Sequence, residues 1–338
     1  MAEAFISAIS FYLPENILDN RDISLKHPEW SVDKISTKTG IYSRHIASEN
    51  EFSSDMAVSA AESLFHNFEI DRQEIDFLLL CTQSPDYFLP TTACIVQDRL
   101  KLSKNIGALD FNLGCSGFVY GLGLAKGLIE TAQAKSVLLI TSETYSKFIH
   151  SEDKSNKTIF GDAAAATLIN SESKELSGKI EKFTYGTDGS KHGCLIVRNG
   201  GMRNRQLSGI DNYMEDESFL SNDNNLYMDG KEIFNFTAFE VPILITNTLK
   251  KNNLNLNDID LFVFHQANEF MLHTIRKRIG IPIEKFYICL NESGNTVSST
   301  IPIALKNAIM DEKIKQGMKV LIAGFGVGLS MAATILEF

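Results

Sequence analysis

Cys115, His265 and Asn295 have side chains and surroundings that could support nucleophilic catalysis. Cys115 lies in the stretch FNLGCSGFVYG, where Gly114 and Gly117 permit unusual φ angles and close backbone approach. A helix that begins beside the cysteine would favour a thiolate, and its free N–H groups could hold an oxyanion. The local sequence leaves two interpretations equally open, a nucleophile or a small core residue.

His265 closes an apolar run in the sequence FHQAN, where a buried histidine is costly unless it is hydrogen-bonded or used in chemistry. Asn295 lies in ESGNTVSS, a turn of small residues that enters a helical pattern. Asparagine is common in such turns and as a helix cap, so its position alone favours a structural role. The other cysteines lie in apolar or helical patterns that favour plain packing, at positions 81, 94, 194 and 289.

The elements that must position these residues alternate between buried strands and helices. Such alternation predicts an α/β fold around a central mixed sheet. Apolar, β-rich runs predict strands at 76–83, 136–143, 260–267 and 319–326. Helical patterns lie between them, at 55–65, 116–132, 233–252 and 299–311. The polar stretch 200–225 has little periodicity, which predicts a mobile loop or a long insertion.

Three segments recur later in the chain in the same order, which indicates two duplicated halves. A pseudo-twofold arrangement would bring Cys115 from one half next to His265 and Asn295 from the other. The repeat predicts a boundary near 170–180, and we place the halves at residues 1–172 and 173–338. The matching segments are EIDFLLLCTQ with DIDLFVFHQA, QAKSVLLITSE with QGMKVLIAGFG, and GDAAAATLI with GLSMAATIL.

A glycine-rich segment, GFGVGLS at 324–330, ends the last predicted strand. It lacks the G-K-[ST] ending of a phosphate loop and the helix that follows a dinucleotide-binding G-x-G-x-x-G. It predicts instead a tight hairpin whose backbone approaches a ligand closely.

The bulk properties argue against several classes of protein. A net charge of −10 is unlike a general nucleic-acid binder, because phosphate neutralisation requires clustered Lys and Arg. Five cysteines without a C-x-x-C pair match neither a metal site nor a disulfide framework, so we expect reduced thiols in the cytoplasm. We see no signal peptide, and no apolar run reaches the roughly 18 residues of a membrane span, so we expect no membrane insertion.

Taken together, these motifs resemble one known family over nearly the whole chain. The order of Cys in N-L-G-C-S-G, His in H-Q-A-N, Asn in G-N-T and a terminal F-G-x-G run resembles β-ketoacyl-acyl-carrier-protein synthase III of the thiolase superfamily. TKTGIYSRHIA (37–47), FGDAAAATL (160–168) and the 30 residues from His265 to Asn295 resemble it too. The resemblance implies an α/β, thiolase-like, duplicated five-layer αβαβα fold with two pseudo-twofold related halves.

The resemblance implies a decarboxylating condensation in fatty acid or specialised lipid and polyketide synthesis. Cys115 would take an acyl group from an acyl-CoA or acyl-carrier-protein thioester, and malonyl-acyl-carrier protein would then enter. His265 and Asn295 would hydrogen-bond its thioester oxygen as CO2 leaves, while the backbone N–H groups of Cys115 and Val327 form the oxyanion hole. Phe325 would stand between the two sub-steps. CoA and carrier-protein thioesters are the substrates, and we expect no metal or redox cofactor.

The resemblance also implies residues that bind substrates and partners. Leu89 would reach into the acyl pocket of a partner subunit, which implies a homodimer. Lys38 and Lys154 stand where the family often has arginines near the CoA adenine, and a lysine head cannot stack as a guanidinium does. We therefore expect a different acyl donor, such as a carrier-bound one. We do not assign Trp30 to the CoA site, because it lies further from Gly40 than the family's tryptophan does. The other expected substrate contacts are Phe325, Phe160 and Asn268, and the expected carrier-protein docking residues are Lys277 and Arg278.

The sequence leaves three alternatives open. A thiolase-fold acyltransferase could move the acyl group to an oxygen, nitrogen or other carbon nucleophile without decarboxylation, although the presence of both His265 and Asn295 argues against it. A papain-like hydrolase also has Cys, His and Asn in this chain order, but duplicated halves and a missing C-G-S-C-W run disfavour it. A non-catalytic partner subunit would not need all three residues.

Overall fold

The structure is a computed structural model that describes residues 2–338. Up to Asn170 the elements are β1 (Phe5–Tyr12), β2 (Asn16–Asp19), α1 (Asn20–Lys26), α2 (Val32–Thr39), β3 (Ser43–Ile46), α3 (Ser53–Asn67), β4 (Phe77–Cys81), α4 (Thr92–Arg99), β5 (Gly107–Phe111), α5 (Gly117–Glu130), β6 (Ser136–Glu143), α6 (Lys154–Lys157) and β7 (Ala163–Asn170). From Gly178 onward they are β8 (Gly178–Ile180), β9 (Thr184–Thr187), β10 (Leu195–Ile196), β11 (Asn212–Tyr213), β12 (Phe219–Ser221), β13 (Tyr227–Met228), α7 (Gly230–Lys251), β14 (Leu261–Phe264), α8 (Glu269–Ile279), β15 (Phe286–Tyr287), α9 (Thr300–Met310), β16 (Lys319–Gly326) and β17 (Ser330–Glu337). The four strands and four helices predicted from periodicity are present as β4, β6, β14 and β16 and as α3, α5, α7 and α9.

The strands form two copies of one pattern. The first copy has the order β5-β4-β6-β7-β1, and the second has the order β15-β14-β16-β17-β9. In each copy the first three strands are parallel and the last two pairings are antiparallel. The internal repeat is therefore confirmed, because its matching segments occupy equivalent strands. Strand β8 bonds to both β1 and β17 and joins the copies into one sheet, and the boundary at 172/173 stays a prediction.

The helices complete five layers. Helix α5 packs on β6 and β16, and α9 packs on β1 and β14, so both lie between the two copies of the sheet. On the outer faces, α3 packs on β1 and β7, whereas α7 packs on β9 and β17 and carries α8. This arrangement confirms the expected αβαβα fold.

The middle layer is apolar and fully buried. Phe118 and Leu122 of α5 meet Ile301 and Leu305 of α9 in one cluster, together with Val263 of β14. Burial of each such side chain stabilises the fold by roughly 1.5–3 kcal/mol. The turns that enter α5 and α9, which contain Cys115 and Asn295, are thereby fixed next to each other.

Hydroxyl groups bond across the halves at the same place. The Oγ atoms of Ser116 and Ser330 lie 2.5 Å apart, and Thr141 Oγ1 lies 2.8 Å from Ser299 Oγ. Each pair joins residues more than 150 positions apart in the chain. Buried hydroxyls need such partners because an unpaired polar group in the interior is costly.

The structure corrects two details of the sequence prediction. The strand predicted at 260–267 ends at Phe264, because His265 begins the turn into α8. The stretch 200–225 is not wholly irregular, since β11 and β12 form an antiparallel pair within it. The segment GFGVGLS forms the predicted hairpin, in which β16 pairs with β17 up to Gly326 and Ser330.

Charged side chains interrupt the longest described helix, α7, whose sequence is GKEIFNFTAFEVPILITNTLKK. Within residues 2–338, none of the helices combines the length and the apolar character that a membrane crossing requires.

Gly294 gives a test of the turn that carries Asn295. Its φ is +66°, and an added Cβ would lie 2.8 Å from the carbonyl oxygen of Ile159. We expect Gly294→Ala to lower the free energy of unfolding by about 1–3 kcal/mol in denaturant titrations. Gly127→Ala is the matched control, because an added Cβ on this helical glycine meets nothing within 4 Å. The control should stabilise by about 0.5–1 kcal/mol, and equal losses in both variants would contradict this account.

Candidate active site

Cys115 lies in the turn between β5 and α5, against the backbone of β16. A Cβ added to Gly326 would lie 2.7 Å from Cys115 Sγ, and one added to Gly324 would lie 2.7 Å from the Cys115 carbonyl oxygen. Only glycine allows this approach, so β16 brings the backbone of one half onto the cysteine of the other. The glycine-rich segment predicted from the sequence thus contacts the candidate nucleophile.

The thiol of Cys115 is buried and protonated at rest. Burial raises its pKa to about 12, and the Glu143 carboxyl adds to the rise. The backbone N–H groups of Val327 and of Cys115 itself oppose it by hydrogen bonding to sulfur. The backbone N–H groups favour the thiolate as the sequence predicts, but desolvation outweighs them in the unliganded site. The two predicted oxyanion donors do converge on the sulfur.

His265 sits at the start of the turn after β14 and is 2 % exposed. Its backbone N–H donates to the Ala323 carbonyl of β16 at 2.8 Å, and its Nδ1 lies 2.7 Å from Thr300 Oγ1. Burial lowers the pKa of its imidazole to about 3, so the ring is neutral at physiological pH. A neutral imidazole donates from one ring nitrogen only.

Asn295 is held on both its backbone and its side chain. Its backbone N–H donates to the Ile159 carbonyl at 2.9 Å, and its carbonyl accepts from Gly161 N–H at 3.0 Å. Its side-chain Oδ1 accepts from Val297 N–H at 2.9 Å. Because the oxygen is engaged, the amide Nδ2 is the group left for a ligand, and it lies 3.5 Å from His265 Nε2.

The distance of 3.5 Å between the two nitrogens is long for a hydrogen bond between them. It suits two donors that converge on one shared acceptor oxygen. The structure therefore brings His265 and Asn295 together as the sequence predicted, beside the strand that touches Cys115.

The aromatic residues predicted to bind substrate flank these groups. Phe325 is buried on β16, and its ring meets the ring of His265 edge to face at a centroid distance of 5.7 Å. Phe160 is buried beside Tyr145 at 5.2 Å, and its backbone forms a parallel bridge with Asn295. Both positions agree with contact to a substrate, which stays a prediction.

Glu143 is a buried carboxyl that the sequence did not single out. It ends β6, where its Oε1 accepts from Ser298 Oγ at 2.8 Å and its Oε2 accepts from Gln83 N–H at 3.0 Å. Burial raises its pKa to about 8. The available signal was an acidic residue closing an otherwise apolar run, the same signal that pointed to His265.

Trp30 lies inside a cluster of lysines, although the sequence argument set it aside. The ammonium groups of Lys34, Lys38 and Lys154 lie 5.5, 5.7 and 6.0 Å from its ring centroid. Lys154 also pairs with Glu29 at 2.6 Å. Lys38 and Lys154, two predicted substrate-binding residues, thus lie together around the ring of Trp30. The spacing of Trp30 from Gly40 had excluded it from the predicted site.

The remaining predicted residues lie at the surface or at helix ends. Leu89 is 86 % exposed in the loop between β4 and α4. Asn268 caps α8 by accepting from Met271 N–H at 2.9 Å. Lys277 and Arg278 are exposed on α8, and the Arg278 guanidinium lies 4.6 Å from the ring centroid of Phe239.

A cavity of about 870 Å³ opens beside Val327. Tyr145, Leu195 and Leu226 are among its lining side chains, and Phe88 from the exposed β4–α4 loop also contributes. Largely apolar walls next to a nucleophile suit an acyl chain.

Fold and site together define a thiolase-like condensing enzyme. The family model described as 3-oxoacyl-[acyl-carrier-protein] synthase III matches residues 109–189, and the model of its C-terminal part matches residues 249–338. The β-ketoacyl-[acyl-carrier-protein] synthase III of Clostridium perfringens is 36% identical over 337 residues, with 100% of both chains covered. The chain belongs to the β-ketoacyl-acyl-carrier-protein synthase III family and is an enzyme of that type.

Solved structures agree with this assignment. A crystal structure of a 3-oxoacyl-(acyl-carrier-protein) synthase III is 43% identical with a TM-score of 0.96, and the alignment covers 99% of this chain and 100% of that chain. The β-ketoacyl-[acyl-carrier-protein] synthase III of Thermus thermophilus is 32% identical with a TM-score of 0.85 and 98% coverage of both chains.

Glu143→Gln tests the buried carboxyl. Because its folded pKa of about 8 lies above the ordinary value of 4.5, the folded state binds a proton that the unfolded chain has lost between these values. The contribution of Glu143 to the free energy of unfolding is therefore greatest below the ordinary pKa and falls as the pH rises towards about 8. We expect wild type to lose more thermal stability than Glu143→Gln between about pH 5 and pH 8, measured as Tm. An equal loss in both proteins would contradict a buried, protonated Glu143.

Proposed function

We propose that this enzyme condenses an acyl thioester with malonyl-acyl-carrier protein, with loss of CO2, in fatty acid biosynthesis. The observation that carries the proposal is the pair of nitrogens, Asn295 Nδ2 and His265 Nε2, 3.5 Å apart beside the strand that touches Cys115. One site thus has donors for an enolate and, separately, backbone donors for a tetrahedral oxyanion. Acyl transfer to an oxygen or nitrogen nucleophile needs only the second set.

In the first step, Cys115 becomes an acyl thioester. Its sulfur attacks the acyl-CoA carbonyl, the N–H groups of Cys115 and Val327 hold the oxyanion, and the carbon–sulfur bond to CoA breaks. The thiol proton ends on the departing CoA sulfur, so the acyl-enzyme and free CoA are the products. A thiol with a pKa of about 12 loses its proton only as this exchange proceeds.

In the second step, the malonyl thioester loses CO2. The electron pair of the breaking carbon–carbon bond moves into the thioester, and His265 and Asn295 donate to the enolate oxygen that forms. Since the imidazole is neutral, it must present an N–H at Nε2 to act as this donor. Both donors are buried, which strengthens their bonds to developing charge.

In the third step, the enolate carbon attacks the acyl-Cys115 carbonyl. The N–H groups of Cys115 and Val327 hold the oxyanion again, and its collapse releases 3-oxoacyl-carrier protein and the Cys115 thiolate. One proton from solvent restores the thiol. The charges balance without a metal or redox cofactor, and we propose that none takes part.

The lysine cluster around Trp30 fits the nucleotide end of an acyl-CoA donor. A tryptophan ring can stack on adenine, while Lys34, Lys38 and Lys154 supply positive charge for phosphates. Lys277 and Arg278 on α8 are exposed cations that fit an acidic carrier protein. The printed names of the relatives specify an acyl carrier protein, which supports that partner here.

We also propose that the enzyme works in the cytoplasm as a homodimer. Tyr87, Phe88 and Leu89 are 63, 77 and 86 % exposed in one loop beside the acyl cavity. Apolar side chains exposed together in this way mark a protein interface. Each subunit's loop would then close the cavity of its partner.

Separate assays of the half-reactions test the roles of the three residues. Cys115→Ala should give no acyl mass on the protein after incubation with acyl-CoA. His265→Ala and Asn295→Ala should still form acyl-Cys115 but release CO2 from malonyl-carrier protein about 10²–10³-fold more slowly, because each lacks one enolate donor. Cys94→Ser removes an exposed thiol on α4 and is the matched control. Acylation without any CO2 release by wild type would instead support transfer to another nucleophile.

Trp30→Ala tests the nucleotide contact. We expect KM for acyl-CoA to rise about 10-fold, the effect of losing one base-stacking ring, and KM for an acyl-pantetheine to stay within about 2-fold. Phe68→Ala is the matched control, since it removes an aromatic ring that faces a lysine, Lys306 at 5.0 Å, outside the site. Equal changes for both donors would show that Trp30 does not contact the nucleotide.

A further inference from the structure

Thr300 is the partner of the buried imidazole on the side away from substrate. It is the first residue of α9 and is 2 % exposed. Its Oγ1 lies 2.7 Å from His265 Nδ1 and 3.0 Å from the Val297 carbonyl oxygen. The Val297 carbonyl and the imidazole Nδ1 therefore compete for the single hydroxyl proton of Thr300.

The single hydroxyl proton of Thr300 links its orientation to the tautomer of His265. When the hydroxyl donates to the Val297 carbonyl, its oxygen accepts from Nδ1–H, and Nε2 has only a lone pair. When the hydroxyl donates to Nδ1, the ring proton is on Nε2. The Val297 carbonyl only accepts, so while it holds the Thr300 proton the hydroxyl oxygen can only accept from Nδ1–H.

The decarboxylation chemistry requires the Nε2–H tautomer. An Nε2 lone pair would face the lone pairs of the thioester oxygen and repel the enolate as its charge grows. Asn295 cannot compensate by turning, because its Oδ1 is engaged by Val297 N–H. Within residues 2–338, the only side-chain hydroxyl that hydrogen-bonds to His265 is that of Thr300.

We propose that Thr300 is a positioning residue that selects the Nε2–H tautomer of His265, by turning its hydroxyl from the Val297 carbonyl to Nδ1 when a malonyl thioester binds. The proposal rests on the function proposed above, since a tautomer matters only if His265 donates to an enolate. Thr300 itself touches no reacting atom. It acts through the imidazole, in the half-reaction that releases CO2 and not in the acylation of Cys115.

Thr300→Val tests this role, because valine keeps the shape and lacks the hydroxyl. Without a hydroxyl that donates to Nδ1, the Asn295 Nδ2 donor 3.5 Å from Nε2 would favour a lone pair on Nε2 and hence the Nδ1–H tautomer. We expect normal formation of acyl-Cys115, measured by mass, and CO2 release from malonyl-carrier protein slowed about 10²-fold, the effect of losing one oxyanion donor. Thr300→Ser keeps the hydroxyl and should recover CO2 release to within about 5-fold of wild type.

Thr248→Val is the matched control for loss of a buried hydroxyl. Thr248 is fully buried in α7 and donates to the Leu244 carbonyl at 2.8 Å, outside the site. We expect its CO2 release to equal that of wild type. If Thr248→Val and Thr300→Val slow the reaction equally, the effect is one of stability and the proposal is wrong.

Nitrogen-15 NMR of labelled histidines reports the tautomer directly, with the His265→Ala spectrum identifying the signal. In the presence of a malonyl-thioester analogue that cannot lose CO2, wild type and Thr300→Ser should show Nε2–H, and Thr300→Val should show Nδ1–H. Should Thr300→Val release CO2 at the wild-type rate, or show Nε2–H, the role of Thr300 is refuted while the proposed function stands. Should wild type itself release no CO2, the proposed function fails first.

Discussion

The contact between the backbone of β16 and the turn of Cys115 is the constraint on which the site depends. Gly324 and Gly326 lie so close to that turn that no side chain fits at either position. The contact sets the Val327 N–H on the sulfur and the Phe325 ring against His265. Because the proposed oxyanion donors are backbone groups of two packed turns, no side chain must be ordered when charge develops.

Burial has one common effect on the titratable groups at this junction. It raises the pKa values of Cys115 and Glu143 and lowers that of His265, so each group favours its uncharged form. A neutral site costs less to bury than an ionic one. It also leaves the charge that appears during the reaction on the substrate, where the fixed N–H groups can act on it.

Much of the fold followed from sequence because strands buried on both faces have continuous apolar runs, and the repeat of those runs indicated the pairing of halves. His265 was visible because a polar residue closed such a run. Glu143 gave the same signal, and the repeat aligns it with Gly326, but only the structure shows that its carboxyl is buried against Ser298. Thr300 looked like an ordinary first residue of a helix until its hydroxyl was seen against the imidazole.

Trp30 shows why spacing along a chain can mislead. The residues that separate it from Gly40 include helix α2, which advances only about 1.5 Å per residue, so spacing in sequence overstates spacing in the structure. Lys34 and Lys38 lie four residues apart and therefore on one face of that helix. The ring of Trp30 lies beside that face, which the spacing alone did not show. The insertion 200–225 could not be resolved from sequence either, because β11 and β12 are too short for a period to show.

Strand β8 has a consequence for how the molecule can come apart. Its three residues pair Gly178 and Lys179 with β1, and Lys179 and Ile180 with β17. The sheet of each half therefore has its edge covered by a segment that the other half also holds. With the halves divided at 172/173, β8 belongs to the second half, so a separated first half would uncover β1 as an open strand edge, the kind of surface on which chains aggregate. The second half therefore protects the edge of the first.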